Sequence, residues 1–309
     1  MNLELTGALS GLRRLDLCDL QTYKNALSQT NRLCWQQYFP FLYFLYVVNS
    51  RDELFIYEED GSICIFLKLN YADAKPELCL YFLPIPMNKR VLQACFERIR
   101  TFNNGKRAVV YWVDEEEMGT LGNLDGSVRT FTEEREYIYD PKIYRNLSGM
   151  KVRDLQRNLN KILSRTDLEV RDFVEGDIEE CLALMNDWAA IKQEKNERAS
   201  PRSYARKCVR FSSHFDKKDL FGRVVLVDGK IRSLGFAGEI RPGLANLFVV
   251  YSDNNIKGLD RFQNYQMMLA LEEYDLVNSA YAETPGLKYA KESFLPVSTH
   301  GMYRIQVFK

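Results

Sequence analysis

Two stretches decide how this chain folds: LFIYEEDGSICIFLKL at Leu54–Leu69 and RVVLVDGKIRSLGFAG at Arg223–Gly238. Each sets an Asp-Gly pair, Asp60-Gly61 and Asp228-Gly229, between apolar runs. Both residue types tolerate positive φ, so each pair reads as the two-residue turn of a β-hairpin. The turns lie 168 residues apart, from Asp60 to Asp228.

Working outward, the same elements follow each hairpin. A strand comes next, at Leu78–Leu83 and at Ala245–Tyr251, and then a helix, at Lys89–Phe102 and at Gly258–Tyr274. Another strand follows, at Ala108–Val113 and at Val277–Glu283. A last strand is expected to close each half, near Glu136–Asp140 and Tyr303–Phe308. Helical stretches precede the hairpins, at Leu20–Ser28 and Trp35–Tyr46, then at Ile178–Lys195 and Ser203–Phe211. The expectation is an α/β (α+β) protein with two tandem domains, each a mainly antiparallel central sheet flanked by helices. Residues 1–145 form the first domain, 146–165 a connecting helix and 166–309 the second.

Composition agrees with a folded chain of this size. Of 309 residues, 46% are hydrophobic and 27% charged, enough for two cores. Acidic and basic residues cancel, 42 against 42, so an anion-binding surface has to be local. Seven scattered cysteines without a CxxC fit buried thiols in a reducing, cytoplasmic compartment. Two histidines, His214 and His300, read as loop or surface residues and leave no room for a multi-histidine metal site. The start of the sequence lacks the apolar core of a signal peptide, and the most apolar run, Phe39–Val48, is too short to span a bilayer.

Residues Lys151–Arg165, KVRDLQRNLNKILSR, read as an amphipathic helix. At about 100° per residue, Val152, Leu155, Leu159, Ile162 and Leu163 share one face. Arg153, Arg157, Lys161 and Arg165 share the other. Like charges four apart cost about 0.2–0.5 kcal/mol per pair, so the stripe points to an anion or an acidic partner.

Tyr137–Ile162 resembles a segment of the phosphatidylglycerol lysyltransferase C-terminal-domain-like family. Leu147-Ser148-Gly149, Lys151, Arg157-Asn158 and Asn160-Lys161 carry the likeness. Gly286–Val297, GLKYAKESFLPV, is similar to a second motif of that family through Gly286, Leu287, Ala290, Lys291, Ser293, Phe294 and Pro296, with Lys288 replacing an arginine. The resemblance implies tandem GNAT-fold domains of Fem-like acyl or aminoacyl transferases. It also implies a donor that is acyl-CoA, acyl-carrier protein or aminoacyl-tRNA, with no cofactor held permanently. The acceptor would be an amine or hydroxyl of a peptide, lipid head group or small molecule. The phosphate loop of the GNAT fold survives only as Asn255–Asp260, with Lys257-Gly258 at its centre and an opposing Asp260. The alternative is a binding module that keeps the fold without the chemistry.

Acyl transfer to an amine needs a base and groups that stabilise the leaving atom. Glu239 and Glu283 each end a strand of the second half and are the candidate bases, with Tyr303 the candidate leaving-group acid. Lys151, Arg153, Arg157, Asn158, Lys161, Lys257, Gly258, Lys288, Lys291 and Ser293 are the candidate donor-binding set. Of these, Arg157, Lys161, Lys288 and Lys291 are expected to converge on one cleft.

Overall fold

The computed structural model describes Gly7 and residues 9–105, 107–121, 127–147, 153–194 and 202–308. In the first half, strands β1 (Arg13–Arg14), β2 (Glu53–Glu59), β3 (Ser62–Leu69), β4 (Glu77–Phe82) and β5 (Arg107–Asp114) are joined by helices α1 (Leu20–Leu27) and α2 (Lys89–Asn103). Strand β6 (Ser127–Tyr139) and helix α3 (Arg153–Leu163) follow. The rest comprises β7 (Leu168–Asp172), α4 (Ile178–Glu194), α5 (Ser203–Phe211), β8 (Phe221–Val227), β9 (Lys230–Arg241), β10 (Leu244–Ser252), α6 (Leu259–Ala270), β11 (Leu276–Tyr281), α7 (Pro285–Glu292) and β12 (Ser298–Phe308).

The chain divides into two compact units, Met1–Glu136 with His300–Lys309, and Tyr137–Thr299. Their strand pairings repeat. In the first unit β1 pairs with β2, β2 with β3 and β3 with β4, all antiparallel, and β4 pairs with β5 in parallel. In the second, β7–β8, β8–β9 and β9–β10 are antiparallel and β10–β11 is parallel. Helix α2 makes the crossover in one unit and α6 in the other. Both hairpin turns have the conformation the Asp-Gly pairs dictate, with φ of +47° and +75° at Asp60 and Gly61, and +53° and +71° at Asp228 and Gly229.

A smaller feature repeats too. Asp19 accepts the backbone N–H of Asp16 and pairs with Arg13 on β1. Asp177 accepts the N–H of Val174 and takes both arms of Arg171 on β7, at 2.6 and 2.8 Å. Each aspartate thereby closes the turn that leads from a first strand into a first helix.

The expected closing strands are exchanged. The last strand, expected to complete the second half, runs antiparallel to β5 in the first unit, from Met302 opposite Asp114 to Phe308 opposite Arg107. The end of β6, expected to complete the first half, belongs to the second unit, where Val297 donates to the Ile138 carbonyl at 2.8 Å. A ladder is made by backbone groups, so side-chain alternation gives a strand its faces but not its neighbour.

Each unit has its own core. In the first, Val91, Leu92, Cys95, Phe96 and Ile99 of α2 pack on Phe66, Leu80, Val110, Ile305 and Val307. In the second, Leu155, Leu159 and Ile162 of α3 join Phe262, Met267 and Met268 of α6 against Val225, Ala237, Ala245, Leu247 and Val277. The amphipathic reading of α3 holds at those three positions, whereas Leu163 is exposed. Gly235 permits this packing, because a Cβ there would meet Gln263 Nε2 at 2.7 Å and Met267 at 3.0 Å.

Candidate functional site

In the second unit β10 and β11 pair only over Leu244–Leu276, Ala245–Val277 and Asn246–Asn278. Beyond that third rung the two strands run on without pairing to each other. On β10 the register against β9 shifts between Leu247 and Val249. On β11 the chain takes φ +59° at Ala280, whose N–H is held by Asn278 Oδ1 at 2.8 Å. A bulge on one strand and a left-handed residue on the other keep the opening from zipping shut.

One face of the opening carries α6, which begins at Gly258. Gly258 has φ +90°, which requires glycine, and a Cβ there would touch the Asn158 carbonyl oxygen of α3 at 3.5 Å. Arg261, in the first turn of α6, donates to Ser293 Oγ at 3.2 Å. Asn158, Gly258 and Ser293 of the expected donor-binding set are thus gathered around the start of α6. Free N–H groups at such a helix start favour phosphate, although Asp260 sits in the same turn.

The other cations are placed differently. Arg153, Arg157 and Lys161 lie on the exposed face of α3, where Arg157 pairs with Asp154 at 2.8 Å. Lys257 is exposed, and Lys288 lies 3.8 Å from Glu292. Lys291 turns to β11 instead: its Nζ donates to the Ser279 carbonyl and to Ser279 Oγ, and it lies 5.9 Å from the Tyr137 ring centre. Those bonds engage Ser279 one residue past the last rung, so the Lys291 ammonium is spent on β11. Lys151 lies outside the described residues.

The candidate bases part company. Glu239 is buried on the closed side of the last rung, opposite Ala245, with Lys218 Nζ 3.1 Å away. It does not flank the opening, contrary to the sequence reading. Glu283 does: it follows β11 at the open end, paired with Arg202 and accepting from the Tyr281 hydroxyl at 3.1 Å. Tyr303 belongs to the first unit, opposite Val113, because β12 joins β5. His300, expected at the surface, is buried there with Nε2 3.0 Å from Asp114 Oδ1.

Residues that sequence reading missed stand at the open end. Phe248 follows Leu247 and turns to the face opposite α6, where Tyr204 of α5 stacks on it at 5.3 Å. The Arg202 N–H donates to the Tyr251 hydroxyl at 3.3 Å, and Trp188 of α4 meets the Tyr251 ring edge-on at 5.1 Å. Arg202 therefore touches β10 through Tyr251 and the end of β11 through Glu283. Burial pushes the Tyr204 and Tyr251 hydroxyls up, so both stay protonated as donors at neutral pH. The one sequence signal for this cluster was the tyrosine at each strand end, Tyr251 and Tyr281.

A parallel strand pair with a crossover helix, repeated twice in one chain and open in the second copy, is a recognisable plan. The fold is that of the tandem GNAT proteins. A tandem GNAT protein from the clavulanic acid pathway superposes with a TM-score of 0.51 at 12% identity, covering 96% of this chain and 98% of that one. A conserved protein of unknown function from Bacteroides thetaiotaomicron gives 0.79 at 19% identity, with 96% and 99% covered. The C-terminal domain of a putative lysylphosphatidylglycerol synthetase from Agrobacterium fabrum gives 0.64 at 14%, with 94% and 92% covered, and FemX gives 0.67 at 9%, with 96% and 97%. At these identities the likeness is one of tandem GNAT fold. No family model and no curated protein matches the chain. Among the described residues no helix is long and apolar enough to cross a membrane.

Proposed function

We propose that the chain is a GNAT-type acyl or aminoacyl transferase whose donor arm lies in the opening between β10 and β11. The observation that carries this reading is the loss of pairing after Asn246 and Asn278, held on both strands by local geometry. Two parallel strands that diverge leave room between them for a third extended segment that can bond to their backbones. An extended amide-bearing arm, such as pantetheine or an aminoacyl ester, supplies one. Its phosphates would rest at the start of α6 near Asn158 and Ser293, with the exposed cations of α3 drawing them in. The likeness to a lysylphosphatidylglycerol synthetase domain and to FemX supports this class of function.

The acceptor amine would arrive from the α5 face, beside Glu283. Its nitrogen attacks the donor carbonyl, the C–N bond forms, and the C–S or C–O bond breaks with its electron pair leaving on sulfur or oxygen. Of the two protons an ammonium sheds, one goes to the leaving atom. The other goes to the Glu283 carboxylate and on to water. We place the reaction in the cytoplasm, where all seven thiols remain free.

The test offers the full chain an acyl-CoA, an acyl-carrier protein and an aminoacyl-tRNA, with an amine panel, and follows binding and product mass. A thioester donor should keep, as salt rises, the part of its affinity that its apolar arm supplies. A tRNA donor should be released steeply by salt and lost in Arg153→Glu/Arg157→Glu. Binding of neither, with no transfer, refutes the transferase reading. It would favour a non-catalytic binding module, a reading supported by the ion pairs that already occupy Glu239 and Glu283.

A further inference from the structure

Five side chains meet where β10 and β11 end, on the α5 face. Tyr251 lies five residues past the last rung on β10, and Glu283 five past it on β11. Arg202 spans the two, and Tyr204 and Tyr281 complete the group. Arg202 and Glu283 are each nearly half exposed, at 47% and 41%. The pair is therefore not a buried strut. It is two opposite charges set side by side at the mouth of an opening, among tyrosine rings.

We infer that this cluster binds the acceptor as a zwitterion, taking its ammonium on Glu283 and its neighbouring carboxylate or phosphate on Arg202. This rests on the transferase reading for its role, though not for the binding itself. A ligand bearing both charges can slip into the Arg202–Glu283 pair and give each side chain a new partner, leaving nothing uncompensated. A simple amine would gain a partner only in Glu283, and a simple acid only in Arg202. A zwitterion gains both at once from groups already set side by side, so the site favours zwitterions. The planar guanidinium suits a bidentate oxyanion, and the tyrosine rings suit an ammonium. The acceptor nitrogen would then lie at the mouth of the opening that holds the donor carbonyl.

Calorimetric titration of the full chain without any donor tests this. The probes are glycine, L-lysine and O-phosphoethanolamine as zwitterions, with butylamine and propionate as single charges. At least one zwitterion should bind ten-fold or more tighter than either single-charge probe. Preference for the amino acids or for phosphoethanolamine then tells an amino-acid acceptor from a phospholipid-type head group. Arg202→Gln and Glu283→Gln should each weaken that binding at least ten-fold, and Arg202→Lys should weaken it less. Melting curves check that the variants are folded, and Arg202→Lys with Tyr204→Phe serves if a Gln variant is not. Equal binding of butylamine and the zwitterions, no binding of any probe, or unchanged binding in the variants overturns the inference. Zwitterion binding without donor binding would instead keep this site and sink the transferase reading.

Discussion

In the first unit β4 and β5 are still paired at Phe82 and Trp112, and the buried Arg32 covers the carbonyls that follow β4. It donates to Leu83 O at 3.1 Å and Pro84 O at 2.7 Å, and holds Glu117 with two arms. In the second unit the matching strands part after Asn246 and Asn278, and the arginine at their ends, Arg202, stays half exposed. One plan thus has two endings. Where the chain supplies its own guanidinium to the strand-end carbonyls, nothing needs to enter. Where it leaves the strands apart, the proposed donor arm has room to lie. The first copy closes its strand ends with its own arginine, and the second keeps the opening.

The largest effect we expect separates the two arginines. Arg32→Ala would strand the Glu117 carboxylate, which burial already pushes up against the pull of Arg32, and would leave two carbonyls without their donor. Breaking a buried pair in this way costs about 3–5 kcal/mol. Arg202→Ala removes an exposed pair worth about 0–1 kcal/mol. Urea denaturation of both variants reads the contrast directly. Similar losses would mean that Arg202 is as structural as Arg32 and that the two endings do not differ in kind.

A second, smaller effect concerns His300 on β12, which pairs with Asp114 at the end of β5. Burial pulls its imidazole down, but the bond to Asp114, the Asp114 charge and the charges of Glu136 and Glu115 outweigh this and raise it above its usual value. A raised imidazole is more stable protonated in the folded chain. Its contribution is therefore complete below about pH 6.5 and is lost as pH rises through the folded value. Burial pushes the Asp114 carboxyl up while His300 and the N–H groups of Leu33 and Glu116 hold it below the ordinary range, so its share fades as pH falls through that lowered value. Thermal melting should show wild type losing more stability than His300→Gln between pH 6 and pH 8. Parallel curves would mean that the pair does not titrate in that window.

What sequence reading could see follows from the same physics. The hairpins were legible because Asp-Gly fixes a backbone conformation locally, and α3 because its apolar spacing survives any partner. The strand exchange was not, since β12 shows its faces in its sequence but not which edge its N–H groups will join. His300 looked like a loop residue because nothing near it in sequence announces Asp114, 186 positions earlier. Arg202 and Glu283 are 81 residues apart, and only the opening makes them neighbours. Of the expected site, Glu283, Asn158, Gly258 and Ser293 flank the opening or the helix start beside it. Glu239 does not, because a strand's end was read without knowing which end of the sheet it reached, and Tyr303 does not, because β12 joins the first unit.

The smallest effect tests where the two units remain alike. Gly61 and Gly229 sit at φ +75° and +71°, and a Cβ at either would meet nothing within 4 Å. The cost of Gly→Ala at each is then purely conformational, about 1–2 kcal/mol for an L-residue in the left-handed region. No packing term distinguishes the two positions, so Gly61→Ala and Gly229→Ala should lower stability by the same amount, within about 0.5 kcal/mol. Each loss should also be independent of donor or amine, because neither turn belongs to the opening. Denaturation midpoints of the two variants, alone and combined, measure this. Equal and additive losses would place the divergence of the two units at the strand ends and leave their hairpins equivalent. A loss at Gly229 that grew or vanished with ligand would couple the second hairpin to the site and break the comparison at its root.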